Sequence, residues 1–268
     1  MLLATILGVG ALAAGQTDAG MALITGGQQI AKGSYLSFSR AQEASADQIA
    51  LRLLEKTQQS ARGIRDMMDE LADQEALSGV HQDPYVRSHP LSRNRVNFIE
   101  EGMKSSNFSD RTDSPELQFR HDMAKAKIYG FLDHPGATLR RYSRQETLPA
   151  KYARAIAFYK NGETQKAVQL VDKLIKLQPD NPYFFELKGQ ILYEAGHLDK
   201  SIAPYRKSVA IAPREPLLQI GLATSLISLE TKASAKEALK ILKKALRMEK
   251  DNMTAYYQMA TAYALLGD

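Results

Sequence analysis

The fold is decided by KYARAIAFYKNGETQKAVQLVDKLIKLQPD at residues 151–180, followed by YFFELKGQILYEAGHLDKSIAPYRKSVAIAPR at residues 183–214. The second stretch repeats the plan of the first. Gly162 and Gly196 lie 34 residues apart, and a closing proline follows each second helix at the same spacing. Each stretch reads as a helix, a glycine-centred turn, a second helix and a proline. The spacing therefore predicts two copies of one helix–turn–helix unit.

A third unit continues the series at residues 216–252. It is longer by about three residues, and the alignment places these around 231–235. Its second helix then returns to register through Ala238, Leu242 and Ala245, whose spacing indicates one buried helical face.

A fourth unit begins at Met253, and the chain stops after its first helix. A half-repeat leaves an apolar face uncovered, which predicts a C-terminal truncation. The 34-residue period resembles the tetratricopeptide repeat, and the resemblance implies a right-handed α-solenoid of three and a half units over residues 148–268. The first helices would line its concave groove, which suits an extended peptide or an acidic segment. Its predicted groove residues are Arg154, Tyr159, Lys188, Gln219 and Gln258.

Upstream of the repeats the pattern is also helical. Glycines punctuate residues 10–33, which predicts short helices and turns, and Ser39 with Gln42 has the spacing of a capping box. Apolar periodicity predicts helices at residues 37–56, 63–76, 92–104 and 115–132. No alternation is long enough for a strand, so the predicted class is all-α. The predicted domains are residues 1–114, a helical connector at 115–147, and the repeats at 148–268.

Composition excludes several classes of protein. The 268 residues include no cysteine, which excludes disulfide frameworks, thiolate zinc sites, iron–sulfur clusters and cysteine nucleophiles. Lys and Arg number 35 against 30 Asp and Glu, and the excess lies in the repeats. Because acids are interleaved there with the basic residues, we interpret these charges as solvated helix faces and expect no nucleic-acid partner. A basic RNA-associated repeat protein is the third hypothesis, and it predicts salt-sensitive binding.

The first fifteen residues, MLLATILGVGALAAG, are apolar. The run Ala11-Leu12-Ala13 imitates a signal-peptidase site, but the stretch carries no Lys or Arg. It is also too short to span a bilayer as a single helix. A buried apolar helix fits better than a signal peptide, and a contact of residues 1–33 with a membrane surface stays an alternative.

Two carboxylates stand out in the helix predicted at residues 37–56. Glu43 and Asp47 are one turn apart and share a face, and small residues separate them. Such carboxylates in a packed helix need a cation opposite them, or else they lie on a salt-bridged or solvated surface. Composition alone favours the salt-bridged or solvated surface.

The stretch Arg40-Ala-Gln-Glu43-Ala-Ser-Ala-Asp47 resembles the R-x-x-E-x-x-A-D helix of the HtpX/CAAX-protease-type zinc metalloproteases. In that family an H-E-x-x-H helix supplies two histidine ligands and the general base, and this later helix supplies the third ligand. The resemblance implies that Glu43 is a zinc ligand. It also implies that Asp47 lies behind the ligands and orients one of the histidines.

Residues 88–96, SHPLSRNRV, resemble the T-H-P-x-x-x-x-R-[IV] segment of the same family. In its soluble periplasmic branch, which also carries tetratricopeptide repeats, this histidine can occupy the open zinc position and hold the enzyme inactive. The resemblance therefore implies that His89 is an inhibitory or gating ligand and that Arg95 supports the site. It also implies a location in the periplasm or cell envelope, with membrane association.

The histidines depart from the family pattern. None of the five forms H-E-x-x-H: they are His81, His89, His121, His134 and His197. The chain thus holds one of three expected zinc ligands. We expect Zn²⁺ to be bound only in a complete protein, and this chain alone to be inactive.

Two functional hypotheses lead. In the first, the chain is the C-terminal part of a zinc metalloendopeptidase of envelope protein quality control, whose repeats dock substrates or other envelope proteins. In the alternative, it is a non-catalytic tetratricopeptide-repeat adaptor in which Glu43 and His89 are relics. An in-frame H-E-x-x-H encoded within roughly 60 residues upstream of Met1 would favour the first, since the ligand helices must pair in one domain.

Overall fold

The computed structural model describes residues 2–77 and 92–267, and these residues form helices and no strand. The predicted all-α class is confirmed. The chain divides into two compact units, Met1–Ser114 and Pro115–Asp268. Residues 115–147, which the sequence suggested as a connector, lie in the second unit and pack on its first repeat.

The first unit is built from two helix pairs. α1 (Leu2–Ala13) packs along α2 (Thr17–Lys56), and α3 (Arg62–Leu77) packs along α4 (Ser92–Lys104). α4 also contacts α2. Its core contains Met68, Val96 and Ile99, with Leu51 and Leu54 packed against them. Within the part of the chain that the structure describes, no helix is long and apolar enough to cross a membrane.

The short helices and turns predicted for residues 10–33 are wrong over most of that range. α2 is one helix of 40 residues, and Ser39, predicted as a cap, lies inside it. A helix-interior glycine costs about 1 kcal/mol relative to alanine, which lowers helix propensity without ending a helix. Packing compensates here: a Cβ on Gly27 would lie 2.4 Å from the Cβ of Ala4, so this glycine lets α1 approach closely.

The second unit is a series of helices in which each repeat helix packs against the next. They are α5 (Pro115–Leu132), α6 (Pro135–Arg141), α7 (Leu148–Lys160), α8 (Thr164–Leu177), α9 (Pro182–Glu194), α10 (Leu198–Ile211), α11 (Pro216–Ile227), α12 (Lys232–Met248) and α13 (Met253–Leu266). Two buried clusters fill the series, one from α5 to α9 and one from α10 to α13. The helices predicted at 92–104 and 115–132 are confirmed, as are the three helix pairs of the repeats.

Local signals set the helix ends in the repeats. Thr147 and Asn181 cap α7 and α9 by accepting hydrogen bonds from backbone N–H groups of the first turn. Each of these helices then has a proline in that turn, where its missing N–H costs nothing. Gly162 and Gly196 make the turns at φ +77° and +79°, a left-handed conformation that glycine adopts without strain.

The structure of the third unit shows that the predicted position of its extra residues is wrong. α8, α10 and α12 begin at residues 164, 198 and 232, a constant spacing of 34. The turn is kept because Glu230, 34 residues after Gly196, takes the left-handed conformation at φ 54°. No insertion therefore lies around 231–235. α12 is instead longer at its end, with 17 residues against 14 in α8 and α10.

The register of α12 follows from this. Ala235, Leu239 and Leu242 are buried at the positions that Ala167, Val171 and Leu174 occupy in α8. The predicted set Ala238, Leu242 and Ala245 is buried as well, because the added turn extends the same face. The sequence therefore indicated the correct face and placed its beginning three residues too late.

Candidate functional site

The two carboxylates of α2 meet one cation of α4. Glu43 and Asp47 are four residues apart on α2, so their side chains leave the same face of the helix. α4 packs there closely, since a Cβ on Gly102 would lie 2.6 Å from Cδ1 of Leu51. This close approach places Arg95 of α4 opposite both acids.

Arg95 holds both carboxylates at once. Its Nε donates to Oδ2 of Asp47 at 2.8 Å, and its Nη2 donates to Oδ1 of Asp47 at 2.7 Å. Its Nη1 lies 3.0 Å from Oε2 of Glu43. The contact with Asp47 is the two-pronged guanidinium–carboxylate pair, the strongest geometry of this kind.

Burial differs among the three side chains. Asp47 is 7% exposed, Arg95 18% and Glu43 25%. The hydrogen bonds that Arg95 donates to Asp47 raise the pKa of Arg95, and burial of the guanidinium opposes that shift. Glu43 is the more accessible acid, so it is the one that can take part in binding a further cation.

The described residues do not make a zinc site by themselves. Residues 2–77 and 92–267 contain no group of three His, Cys, Asp or Glu side chains that could hold a metal ion. Glu43 can supply one carboxylate ligand, which falls short of the three that catalytic zinc takes from protein. His89, the predicted gating ligand, lies outside the described residues. The structure thus brings Glu43, Asp47 and Arg95 together and leaves the role of His89 a prediction.

The predicted groove residues fall into different environments. Gln219 is a correction: it is 1% exposed, and its Nε2 donates to the carbonyl of Pro213 at 2.7 Å, so it cannot line a groove. The face of α11 was ambiguous because that helix is apolar nearly all round. Tyr159 donates its hydroxyl proton to Glu194 of α9, and Gln258 is half-buried on α13.

The two predicted groove cations are already neutralised. Arg154 lies 3.1 Å from the carboxylate of Glu146, which it contacts through Nη2. Lys188 donates to Oδ1 of Asp172 on α8 at 2.6 Å, so its charge is held between two helices of adjacent units. Neither cation is available to attract an acidic segment at full strength.

One acid that the sequence argument missed is Glu186 on α9. It is three residues after Tyr183 and four before Gln190, so the three side chains share a helix face. This spacing is visible in the sequence. However, a single sequence gives no signal that distinguishes such a stripe from an ordinary solvated helix face.

The cluster of Glu43, Asp47 and Arg95 lies inside a segment that matches a family model. Residues 1–103 match the model of peptidase family M48. Residues 152–216 match a tetratricopeptide-repeat model. The M48 segment is thus followed by repeats, as the sequence resemblance predicted, and that resemblance is confirmed.

The chain aligns with curated relatives over most of its own length. The beta-barrel assembly-enhancing protease of Yersinia pestis is 26% identical over 239 residues, which cover 86% of this chain and 48% of the relative. The protein of the same name from Escherichia coli strain K12 is 22% identical over 267 residues, which cover 96% of this chain and 53% of the relative. The chain therefore spans about half the length of these curated relatives.

Among solved structures, a chain of MamA MSR-1 C2 is similar with a TM-score of 0.45 and 18% identity. It covers 58% of this chain and 88% of its own length.

Proposed function

We propose that this chain works as the C-terminal part of a zinc metalloendopeptidase of the cell envelope, in which the M48 segment contributes to the active site and the repeats dock protein substrates or partners. The observation that carries the proposal is the ion-paired set of Glu43, Asp47 and Arg95 within the M48 segment. In a complete site that included Glu43, a zinc ion would supply a bound water of lowered pKa as the nucleophile.

The contribution of this chain's own residues is one of positioning. Asp47 fixes the guanidinium of Arg95 through two hydrogen bonds, and Arg95 in turn restrains the carboxylate of Glu43. A ligand restrained in this way loses less conformational freedom when a metal binds, which favours binding. Histidine ligands and a general base would have to come from a segment outside these 268 residues, because no H-E-x-x-H is present in them.

The proposal for the repeats rests on their fold and on the relatives. Tetratricopeptide repeats stack into surfaces that bind proteins or peptides, and this chain carries three helix pairs and one further helix of that kind. The relatives are named for enhancing β-barrel assembly. We therefore propose envelope proteins as the class of partner, with membrane association through residues 1–33.

The alternative is a non-catalytic adaptor. It is favoured by the absence of H-E-x-x-H from the chain and by the ion pair that already engages Glu43. In this case the acid–base cluster acts only as a structural tie between α2 and α4, and the repeats carry the whole function.

The first prediction separates the two hypotheses in a protein that joins this chain to an H-E-x-x-H helix. Replacing Glu43 by Gln is expected to reduce activity at least about 100-fold and to lower retained zinc, since one of three ligands is lost. Metal content by mass spectrometry and cleavage of casein are the measurements. Glu55→Gln, on the same helix and with its acid on the surface, is the matched control and should change neither.

Full zinc content and full activity after Glu43→Gln would exclude the ligand assignment. In the same protein, His89→Ala should leave zinc bound and raise activity if His89 blocks the open position. Equal or lower activity would contradict the gating role.

The second prediction concerns residues 1–268 alone. We expect no chelator-sensitive cleavage of casein, because a single carboxylate cannot hold the metal that activates water. The control is the joined protein assayed beside it. Cleavage by the purified chain that stops on addition of a chelator would show that these residues hold a complete site.

A further inference from the structure

The helix α5, which lies outside the segment matched to the repeats, begins as a first helix of a repeat does. It starts at Pro115, and α7, α9 and α11 have Pro149, Pro182 and Pro216 in their first turns. These four prolines follow one another at intervals of 33 or 34 residues. α5 also packs against α7. The row of first helices therefore starts one helix earlier than the sequence predicted.

A cavity of about 350 Å³ is lined by α5, by the start of α9 and by one residue of α7. Tyr152 of α7 and Phe184 of α9 are buried, at 3% and 0% exposure, and their rings meet edge to face at a centroid distance of 5.5 Å. This packed pair forms the bottom of the cavity. We call it the anchor cavity, and its apolar lining consists of Phe119, Met123, Ala124, Tyr152, Tyr183 and Phe184.

The lining of the anchor cavity favours an aromatic occupant. Aromatic rings prefer edge-to-face contacts with other rings, and a methionine sulfur packs well against a ring. The cavity offers both kinds of contact, and its volume lies in the range of about 300–1,000 Å³ typical of ligand sites. Its amide side chain, Asn181, is already engaged: Oδ1 accepts from the N–H of Tyr183 at 3.1 Å, and Nδ2 donates to Gln178 at 3.0 Å.

Two cations also line the anchor cavity, and none of the described residues that line it is acidic. Arg120 and Lys127 are exposed on α5, seven residues apart, so they lie on one face about 10 Å apart along the axis. In the part of the chain that the structure describes, neither side chain makes an ion pair or a hydrogen bond. Nζ of Lys127 lies 5.9 Å from the ring centroid of Tyr183, a contact that leaves its N–H donors available.

This pair of cations differs from the cations of the predicted groove. Arg154 and Lys188 are neutralised by Glu146 and Asp172, as described above. A carboxylate that approaches the rim of the anchor cavity displaces no such partner. Each exposed ion pair contributes little and is weakened by salt, but two pairs on either side of a buried anchor act together.

We propose that the anchor cavity binds an aromatic side chain of a docked protein segment, and that Arg120 and Lys127 pair with acidic residues two positions before and after it. In an extended segment these three side chains leave the same side of the chain. The inference rests on the proposed docking role of the repeats and specifies the chemistry of the partner. It keeps the acidic segment that the sequence suggested and moves its cations to α5.

The test uses the full chain and four capped pentapeptides. Three have the form Xaa-Ser-Phe-Ser-Xaa, in which Xaa is glutamate, glutamine or lysine, and the fourth replaces the phenylalanine of the glutamate peptide by serine. Binding is followed through the amide resonances of the second unit in an NMR titration at low salt. We expect the glutamate peptide to bind about 5- to 20-fold more tightly than the glutamine peptide, and the lysine peptide to bind most weakly of the three.

Two further results are expected with the same peptides. Loss of the phenylalanine should weaken binding of the glutamate peptide at least about 10-fold, because the buried aromatic area is lost. The preference for glutamate over glutamine should disappear in 1 M salt, where the Debye length is about 3 Å. The resonances that shift should be those of α5 and of the start of α9.

Variants assign these effects to single groups. Lys127→Gln should reduce the preference for glutamate about 2- to 4-fold, and adding Arg120→Gln should remove it while the phenylalanine still binds. Lys125→Gln is the matched control and should leave the preference unchanged. Lys125 is exposed on the same helix with its Nζ 5.9 Å from the ring of Tyr129, and it lies outside the anchor cavity.

Ala124→Leu fills the anchor cavity from an exposed position of α5 and should weaken every phenylalanine peptide at least about 5-fold. Circular dichroism verifies that each variant is folded. Equal or tighter binding of the lysine peptide would overturn the acidic partner, and equal binding of the two glutamate peptides would overturn the aromatic anchor. Shifts confined to α11–α13 would overturn this site and keep the docking role of the repeats. No shift in the second unit with any peptide would overturn both.

Discussion

Replacing Arg95 by Met is expected to destabilise the first unit by about 3 kcal/mol, because the substitution leaves two acids at the α2–α4 contact without their cation. Asp47 has the larger part in this cost. Its side chain is 7% exposed, and the hydrogen bonds that the structure gives it both come from Arg95. Glu43 is 25% exposed, so the loss of Arg95 costs it less free energy, because water can solvate its carboxylate.

Amide hydrogen exchange measures this effect locally. Exchange of core amides in α2 and α4 should accelerate roughly 100-fold in Arg95→Met, while the second unit serves as an internal reference within the same chain. Arg93→Met is the matched control on the same helix. Its ion pairs with Asp69 and Asp73 are on the surface, where such pairs contribute 1 kcal/mol or less.

A third variant tests the physical cause. Combining Arg95→Met with Asp47→Leu removes the buried cation and the buried anion together, and should recover part of the lost stability. If Arg95→Met exchanges no faster than Arg93→Met, the cluster does not hold α2 and α4 together.

Replacing Gly189 by Val is expected to destabilise the repeats by about 3 kcal/mol and to lower their melting temperature by roughly 10 °C. The ring of Tyr205 lies between two glycines. A Cβ on Gly189 would lie 2.6 Å from Cδ2 of that ring, and a Cβ on Gly221 would lie 2.9 Å from Cε1. The ring cannot retreat from α9 without entering α11. A branched side chain at 189 must therefore push the helices apart.

Gly63→Val is the control, because Gly63 is exposed near the start of α3 and a Cβ there meets nothing within 4 Å. It should change the melting temperature by no more than a few degrees. Adding Tyr205→Leu to Gly189→Val should cost less than the sum of the two single changes, since the smaller side chain makes room. If the effects of Gly189→Val and Tyr205→Leu on stability simply add, the ring of Tyr205 is not the group that excludes a side chain at position 189.

Most of the helices could be predicted from the sequence because their signals are local. The proline and capping residues that begin α7 and α9 act within one turn, as do the glycines at 162 and 196. α2 could not be predicted in full. The glycines before residue 33 favour breaks locally, whereas the packing of α1 along α2, closest at Gly27, depends on tertiary contacts that no local pattern encodes.

The candidate site was predictable in part. Spacing placed Glu43 and Asp47 on one face and left open whether a cation lies opposite them or the face is a salt-bridged or solvated surface. The family resemblance named Arg95 as a supporting cation. One guanidinium bridges both acids because α4 packs against α2 at this point. No local sequence pattern encodes that packing. Gln219 was misplaced because α11 buries residues on nearly every side, so its polar positions did not mark a surface.

The longer α12 shows how a repeat array can accept an insertion during evolution. The three residues added at the end of α12 amount to nearly one helical turn of 3.6, so they extend the helix by one more turn of the same buried face. Ala245 then joins the buried face rather than facing water. The next helix is carried about 4.5 Å further along, at 1.5 Å per residue. Insertions of one or two residues would rotate that face away from the core, so selection should tolerate length changes near whole turns and remove the others.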